Sequence, residues 1–96
     1  MKLLMIMVDA DRREDVEKLL DRYEVSGYTE IPNVLGKGES GRKLGSRAFP
    51  GSSRLYFTVV PRDTYEALCG ELKALDAKSD RDEGLTVFKL NAEKVV

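Results

Sequence analysis

The chain has 96 residues, of which 42% are hydrophobic and 34% charged, and its formal net charge is −1. These values are typical of one globular domain and argue against a disordered chain. Histidine is absent and there is a single cysteine. Ser-His or Cys-His catalysis and an internal disulfide are therefore excluded, and a transition-metal site with nitrogen and sulfur ligands is disfavoured. We expect neither enzymatic activity nor a cofactor.

The first eight residues read MKLLMIMV. Their apolar run ends at Asp9 and no small-residue cleavage site follows, so Lys2–Val8 is predicted to be a buried strand rather than a signal peptide. No apolar run approaches the ~20 residues of a membrane span. Together with the single cysteine, these features favour a cytoplasmic protein.

A helix is predicted to follow this strand. Asp11, with Glu14 three residues later, is typical of a capped helix start, and Gly27 indicates the end of the helical region. Between them, apolar residues recur every three or four positions, which predicts one buried stripe. The stripe consists of Val16, Leu19, Leu20 and Tyr23.

Two further strands are predicted in the middle of the chain. Tyr28–Leu35 favours a strand, but Pro32 lacks the backbone donor of a ladder, which predicts an edge position or a bulge. Arg54–Val60, with the sequence RLYFTVV, is the strongest strand signal in the chain.

The last elements are a second helix and a fourth strand. Pro61 and Asp63, with Glu66 three residues after the expected cap, predict the helix start. The buried stripe of this helix consists of Tyr65, Leu68, Leu72 and Leu75. The polar segment Asp76–Gly84 is predicted to be a loop, and Leu85–Leu90 a strand.

The order βαββαβ predicts an α+β ferredoxin-like sandwich, a four-stranded antiparallel sheet with two helices on one face, in a single domain of residues 1–96. The connection between the second and third strands, residues 36–53, is unusual. It takes eighteen residues where a hairpin loop takes about two to five, and such an excess is often functional or disordered.

This connection begins with GKGESG, which has the spacing G-x-G-x-x-G. A dinucleotide fingerprint needs a helix directly after the glycines, but RKLGSRAFPG follows, with two further glycines and a proline. A P-loop is also disfavoured, because Arg42 and Lys43 stand where Lys and Ser or Thr are required.

Charge is unevenly distributed along the chain. Gly36–Arg54 holds five cationic residues and one acid, whereas the rest holds eleven and sixteen. A basic segment on an acidic body indicates an anionic target and no general affinity for nucleic acid. We predict that the segment binds a partner protein or a small anionic effector. The candidate binding residues are Gly36, Lys37, Gly38, Gly41, Arg42, Lys43 and Arg47.

Two alternatives for the functional surface stay open. The connection could be a solvated extension whose cations only keep it soluble, although Phe49 and Pro50 favour packing against a surface. Tyr28, Tyr56 and Phe57 could stack on RNA, but the aromatic RNP pattern is missing.

Two further groups have simpler interpretations. Cys69 lies beside the buried stripe of the second helix, which predicts a packed or half-buried thiol rather than a reactive one. Asp80, Asp82 and Glu83 are predicted to form an exposed acidic turn, because no calcium-loop pattern surrounds them.

Several short motifs resemble the PII signal-transduction family. VLGKGESG leaves the second strand in the manner of the family's T-loop, YFTVVP enters the second helix, and GLTVFKL is similar to its last strand. The resemblance spans nearly the whole chain and implies a homotrimer that regulates partners through this loop. The CutA metal-tolerance family shares the fold and is the alternative, as a small-molecule sensing or metal-tolerance module.

The departures from that family concern the nucleotide site. Its members bind ATP or ADP with a glycine-rich B-loop, a lysine on the third strand and arginines in the C-terminal tail. Here SDRDEG replaces the B-loop, Leu55 aligns with the lysine, and no tail arginine precedes Val96. Gly36–Arg54 also contains no tyrosine, the residue that some members uridylylate. The resemblance thus implies a divergent member whose ordinary nucleotide site is eroded.

Overall fold

The structure is a computed structural model that describes residues 1–23, 25, 27–34, 36–38, 41–43, 53–77 and 85–96, with the backbone alone for 36–38 and 41–43. The strands of this part of the chain are β1 (Lys2–Asp9), β2 (Thr29–Val34), β3 (Gly36–Gly38), β4 (Gly41–Lys43), β5 (Ser53–Val60) and β6 (Leu85–Asn91). The helices are a 3-10 helix (Ala10–Arg12), α1 (Arg13–Arg22) and α2 (Arg62–Ala77).

The main sheet has the strand order β2-β5-β1-β6 and is antiparallel throughout. β1 lies in the interior, where Met5 pairs with Phe57 of β5 on one side and with Phe88 of β6 on the other. With the two helices, this order confirms the predicted ferredoxin-like sandwich. The prediction of an inner strand over Lys2–Val8 is also confirmed, since both edges of β1 are paired.

The core lies between the sheet and the helices. Alternate residues of β1 face it, and the two predicted helical stripes supply the opposite wall. The buried apolar residues are Leu4, Ile6, Val8, Val16, Leu19, Leu20, Tyr56, Val60, Leu68 and Leu72. Tyr23, Tyr65 and Leu75 are partly buried against them, as the stripes predict. Each fully buried large side chain stabilises the fold by about 1.5–3 kcal/mol.

The ends of α1 differ from the sequence-based prediction. The 3-10 helix precedes α1, and the N-cap is Arg12, without a side-chain capping hydrogen bond, so the predicted cap at Asp11 is wrong. The helix ends at Arg22 with Tyr23 as C-cap, five residues before the predicted end signal Gly27. Arg12 contacts α2 instead, since its Nη2 donates to the Leu75 carbonyl at 3.0 Å.

The start of α2 also differs from the sequence-based prediction, in the role of Asp63. The backbone N–H groups of Thr64 and Tyr65 donate to the carbonyl of Pro61, both at 3.1 Å, so Pro61 precedes the first turn. Asp63 therefore lies within the first turn instead of capping it. An acid there still interacts favourably with the helix dipole.

β2 confirms both predictions made from Pro32. It is an edge strand, and its register with β5 shifts between Ile31 and Val34. Within this irregularity Asn33 has φ 59°, in the left-handed region that asparagine tolerates better than most residues. The bulge redirects the chain as it leaves the sheet.

The face of the sheet opposite the helices is largely apolar, with Thr29 and Thr86 among its polar residues, and is open in this single chain. Register places there Leu3, Met5, Met7, Ile31, Leu55, Phe57, Val59, Phe88 and Leu90. Four of these side chains are exposed: Ile31 by 42%, Val59 by 40%, Phe88 by 55% and Leu90 by 44%. In the described part of the chain, neither helix has the length and apolarity needed to span a membrane.

Candidate functional site

The connection after β2 contains a small hairpin of its own. β3 and β4 pair antiparallel as a separate two-stranded sheet, in the register Gly36 to Lys43, Lys37 to Arg42 and Gly38 to Gly41. Six of the seven predicted binding residues lie on these two strands. The seventh, Arg47, lies outside the described residues.

The register brings two cationic residues together. Lys37 and Arg42 are direct cross-strand partners, and directly opposed residues of an antiparallel pair lie on the same face. Like charges in this position destabilise a hairpin, and a bound anion relieves the repulsion. Lys43, opposite Gly36, belongs to the other face. The register thus places two cationic residues at directly paired positions of the hairpin.

A polar cluster joins α1, the first residues of β2, and β5. Its centre is the hydroxyl of the fully buried Tyr56 on β5. This hydroxyl lies 2.5 Å from Glu17 Oε2 of α1 and 3.1 Å from Glu30 Oε2 of β2. Arg54 Nη1 donates to the same Glu30 oxygen at 2.6 Å. One phenol thus links a helix to the edge strand. Arg54 offsets the charge of Glu30, and Arg13 Nη1 lies 4.0 Å from Glu17 Oε2.

The electrostatics of this cluster follow from burial and charge. Burial raises the pKa of Tyr56 well above its ordinary value, and the hydrogen bonds and negative charges of Glu17 and Glu30 add to the rise. For Glu30, the hydrogen bond from Arg54 holds the pKa below its ordinary value, against a smaller opposing effect of burial. Tyr56 is accordingly a neutral donor at pH 7, and Glu30 is a charged acceptor.

Neighbouring contacts fix the start of β2 to the same region. Thr58 Oγ1 donates to the carbonyl of Gly27 at 2.8 Å, and the ring of Tyr28 packs edge-on against Tyr56 with centroids 5.5 Å apart. Burial, followed by the charges of Glu17 and other acids, raises the pKa of Tyr28 as well. The start of β2 is thus held to β5 and α1 by a tyrosine pair and charged hydrogen bonds.

The sequence did not reveal this cluster. No sequence pattern marks Glu17, Glu30 or Arg54 as site residues, and for Tyr56 the sequence suggests only a role in stacking on RNA. Because Tyr56 is fully buried, it cannot stack on a base in this fold. Alternation places Tyr56, Thr58 and Val60 on one face of β5, but both faces of this strand are apolar, so the sequence does not show that this face is the buried one.

The remaining sequence candidates have simple outcomes. Cys69 is a free, half-buried thiol packed against the core, as predicted. Asp80, Asp82 and Glu83 lie outside the described residues. Among the residues that are described, no group of three or more Cys, Asp or Glu side chains is arranged to hold a metal ion.

Comparisons with known proteins identify the family. The sequence model of the family Nitrogen regulatory protein P-II matches residues 1–96. The chain belongs to the P-II family. Its proteins are regulators of the PII signal-transduction type, so the predicted resemblance is confirmed. The comparison with curated proteins gives no match.

Solved structures agree with this assignment. CPII, a nitrogen regulatory PII-like protein from Thiomonas intermedia K12 bound to ADP, AMP and bicarbonate, is 25% identical with a TM-score of 0.78, over 93% of this chain and 82% of CPII. A second CPII structure, bound to ADP and bicarbonate, is 26% identical with a TM-score of 0.76. The match covers 93% of this chain and 82% of that CPII chain. A PII-like signaling protein from Thermus thermophilus shares the fold at 17% identity and a TM-score of 0.66, over 95% and 85%.

Proposed function

We propose that this P-II family member is a regulatory protein that binds a small anionic effector, or an acidic surface of a partner protein, through its basic hairpin. The register of β3 and β4, which places Lys37 opposite Arg42, is the observation that carries the proposal. We equate the connection 36–53 with the T-loop of the family. The protein acts as a regulator and not as an enzyme.

The ligands of the solved relative suggest what to test. CPII binds both adenine nucleotides and bicarbonate, a small planar monoanion. In this chain a small anion such as bicarbonate fits the hairpin better than a nucleotide does, because two cationic residues at paired positions suit a compact anion. Leu55 replaces the lysine of the family's nucleotide site, and SDRDEG replaces its glycine-rich B-loop. Both changes disfavour the binding of a nucleotide. Bicarbonate or a related carboxylate is therefore the preferred effector.

Assembly is part of the same proposal. The apolar open face of the sheet is rimmed by exposed Ile31, Val59, Phe88 and Leu90, and a contiguous apolar surface of this kind marks an interaction site. We propose that three copies pack these faces together as a homotrimer. We propose no nucleic-acid partner for this face. We also propose a cytoplasmic location, because a single cysteine agrees with a reducing compartment.

Calorimetric titration of the whole chain with bicarbonate and with acetate tests the proposed effector. The double variant Lys37→Gln/Arg42→Gln removes both register partners and is expected to weaken anion binding by about tenfold or more, since each charged hydrogen bond that is removed is worth roughly 1.5–3 kcal/mol. The matched control is Lys18→Gln/Arg62→Gln, which removes two exposed cations from the helices. Equal affinity for the anion in both double variants would contradict the proposal.

A further inference from the structure

A groove of about 300 Å³ lies between α2 and the edge strand β6. Its helical wall includes Cys69, Leu72 and Lys73, whose spacing of three and four residues places them on one stripe of α2. Leu85 and Val87, two residues apart, lie on the helix-facing side of β6. Periodicity of both elements thus brings these side chains to one surface.

The floor and the rim of the groove differ in chemistry. Leu72, Leu85 and Val87 make the floor apolar. Lys73 from the helix and Lys89 from the strand contribute one cation each, and Asp76 contributes one acid. Within the residues that the structure describes, neither lysine forms an ion pair. The rim therefore carries one more positive than negative charge.

Lys89 is partly held in place before any ligand binds. Its ammonium group lies 5.2 Å from the centroid of the Tyr65 ring, and Lys2 Nζ lies 5.7 Å from the same centroid. An ammonium group at this distance from a ring is attracted to it. A cation held in this way loses less freedom when it binds an anion.

We propose that this groove binds a small aliphatic monocarboxylate, with the chain on the apolar floor and the carboxylate between Lys73 and Lys89. Its volume is at the lower limit of small-molecule pockets, which suits about ten non-hydrogen atoms and excludes a nucleotide. Asp76 disfavours a dianion such as phosphate, because its negative charge repels a doubly charged ligand more strongly than a singly charged one. None of these residues belongs to the hairpin, so the site is independent of the proposed effector site.

Cys69 provides a direct measurement, because it lines the groove and is the only cysteine in the chain. The experiment follows alkylation of Cys69 in the whole protein with hexanoate as the probe. At ten times its dissociation constant, hexanoate is expected to slow alkylation about tenfold. Hexan-1-ol has the same carbon chain and no charge. Its affinity is expected to be lower than that of hexanoate by about tenfold or more.

The variants separate the groove from other sites. Lys73→Gln/Lys89→Gln is expected to lose the preference for hexanoate over hexan-1-ol, whereas the hairpin variant Lys37→Gln/Arg42→Gln keeps it. Lys18→Gln/Arg62→Gln, which removes two exposed cations from the helices, is the matched control. Absence of protection by hexanoate, or equal protection in the Lys73→Gln/Lys89→Gln variant, would overturn the proposal, whatever the outcome at the hairpin.

Discussion

The hydroxyl of Tyr56 lies 2.5 Å from a carboxylate oxygen of Glu17, which joins the centre of the sheet to α1. A phenol has one proton to donate, and here two carboxylates compete for it, since Glu30 lies on its other side at 3.1 Å. The contact therefore does more than fill the core. Through the one hydroxyl, α1 and the start of β2 are both linked to β5.

Tyr56→Phe tests the strength of this contact. The substitution keeps the buried ring but leaves Glu17 and Glu30 without the hydroxyl donor, and hydrogen bonds to charged groups contribute about 1.5–3 kcal/mol. We expect the free energy of unfolding to fall by about 1–3 kcal/mol in urea denaturation. Tyr65→Phe, at a tyrosine whose hydroxyl has no hydrogen bond in the described structure, is the control. Equal effects of both substitutions would show that the hydroxyl adds nothing.

Acid should destabilise the protein in part through Glu30. Its pKa is lower in the folded chain than in the unfolded one, mainly because Arg54 donates to it, so its stabilising contribution is present above the unfolded value and is lost as pH falls. We expect Glu30→Gln to reduce the decrease in unfolding free energy between about pH 5 and pH 3, measured by urea denaturation at several pH values. The exposed Glu66→Gln is the control; a decrease as steep in Glu30→Gln as in the parent chain would contradict this account.

Alkali should act through Tyr56 in the opposite direction. Burial raises its pKa in the folded chain, so the folded state keeps its proton while the unfolded state loses it above about pH 10. The stabilising contribution of Tyr56 is therefore complete below about pH 10 and falls as pH rises beyond it. We expect Tyr56→Phe to have a shallower alkaline decrease in unfolding free energy than the parent chain. If the two slopes agree up to about pH 11, Tyr56 is not responsible.

Assembly can be tested on the open face of the sheet. Phe88→Glu places a charge among apolar side chains that we propose are covered in the trimer, and burying an unpaired charge is costly. Sedimentation at micromolar concentration is expected to show a trimer for the parent chain and monomers for this variant. Ala74→Glu, on the exposed surface of α2, adds the same charge and is expected to leave the trimer intact. A parent chain that sediments as a stable monomer would contradict the proposal.

Much of the fold could be predicted from the sequence because its signals are local. The apolar stripes of both helices and the proline in β2 each report on a few adjacent residues, and they correctly gave the element order and the bulge. The 3-10 helix at Ala10–Arg12 and the early end of α1 were missed, since terminal signals at Asp11 and Gly27 compete with packing.

The candidate site was predictable only in part. The charge of the connection was evident, but the pairing of Lys37 with Arg42 was not, because glycine-rich segments have low strand propensity. The Tyr56 cluster was hidden for a different reason. β5 is apolar on both faces, so alternation alone does not say which face the helices cover, and Glu17 is 39 residues away in sequence.

The last prediction is that ATP does not bind as it does in the family. A triphosphate carries about three to four negative charges, which the family site meets with glycine amides, a lysine and arginines. Leu55, which aligns with that lysine, lies in the open face between Met7 and Ile31. Each missing charge-assisted hydrogen bond weakens binding by roughly 1.5–3 kcal/mol, so Leu55 in place of the lysine is expected to cost about tenfold or more. Titration calorimetry with ATP, ADP and AMP, with and without magnesium, is expected to show no micromolar binding.

A charge-neutralising variant makes this test sharper. Asp80→Asn/Asp82→Asn/Glu83→Gln removes the three acids of SDRDEG, which replaces the glycine-rich B-loop, and is expected to bind ATP more tightly than the parent chain because repulsion of the phosphates is relieved. The matched control Asp15→Asn/Asp21→Asn/Glu66→Gln removes three exposed acids from the helices and changes the net charge equally. If both triple variants gain the same affinity, overall charge and not the loop limits nucleotide binding. Micromolar affinity of the parent chain for any of the three nucleotides would show that the eroded site still functions.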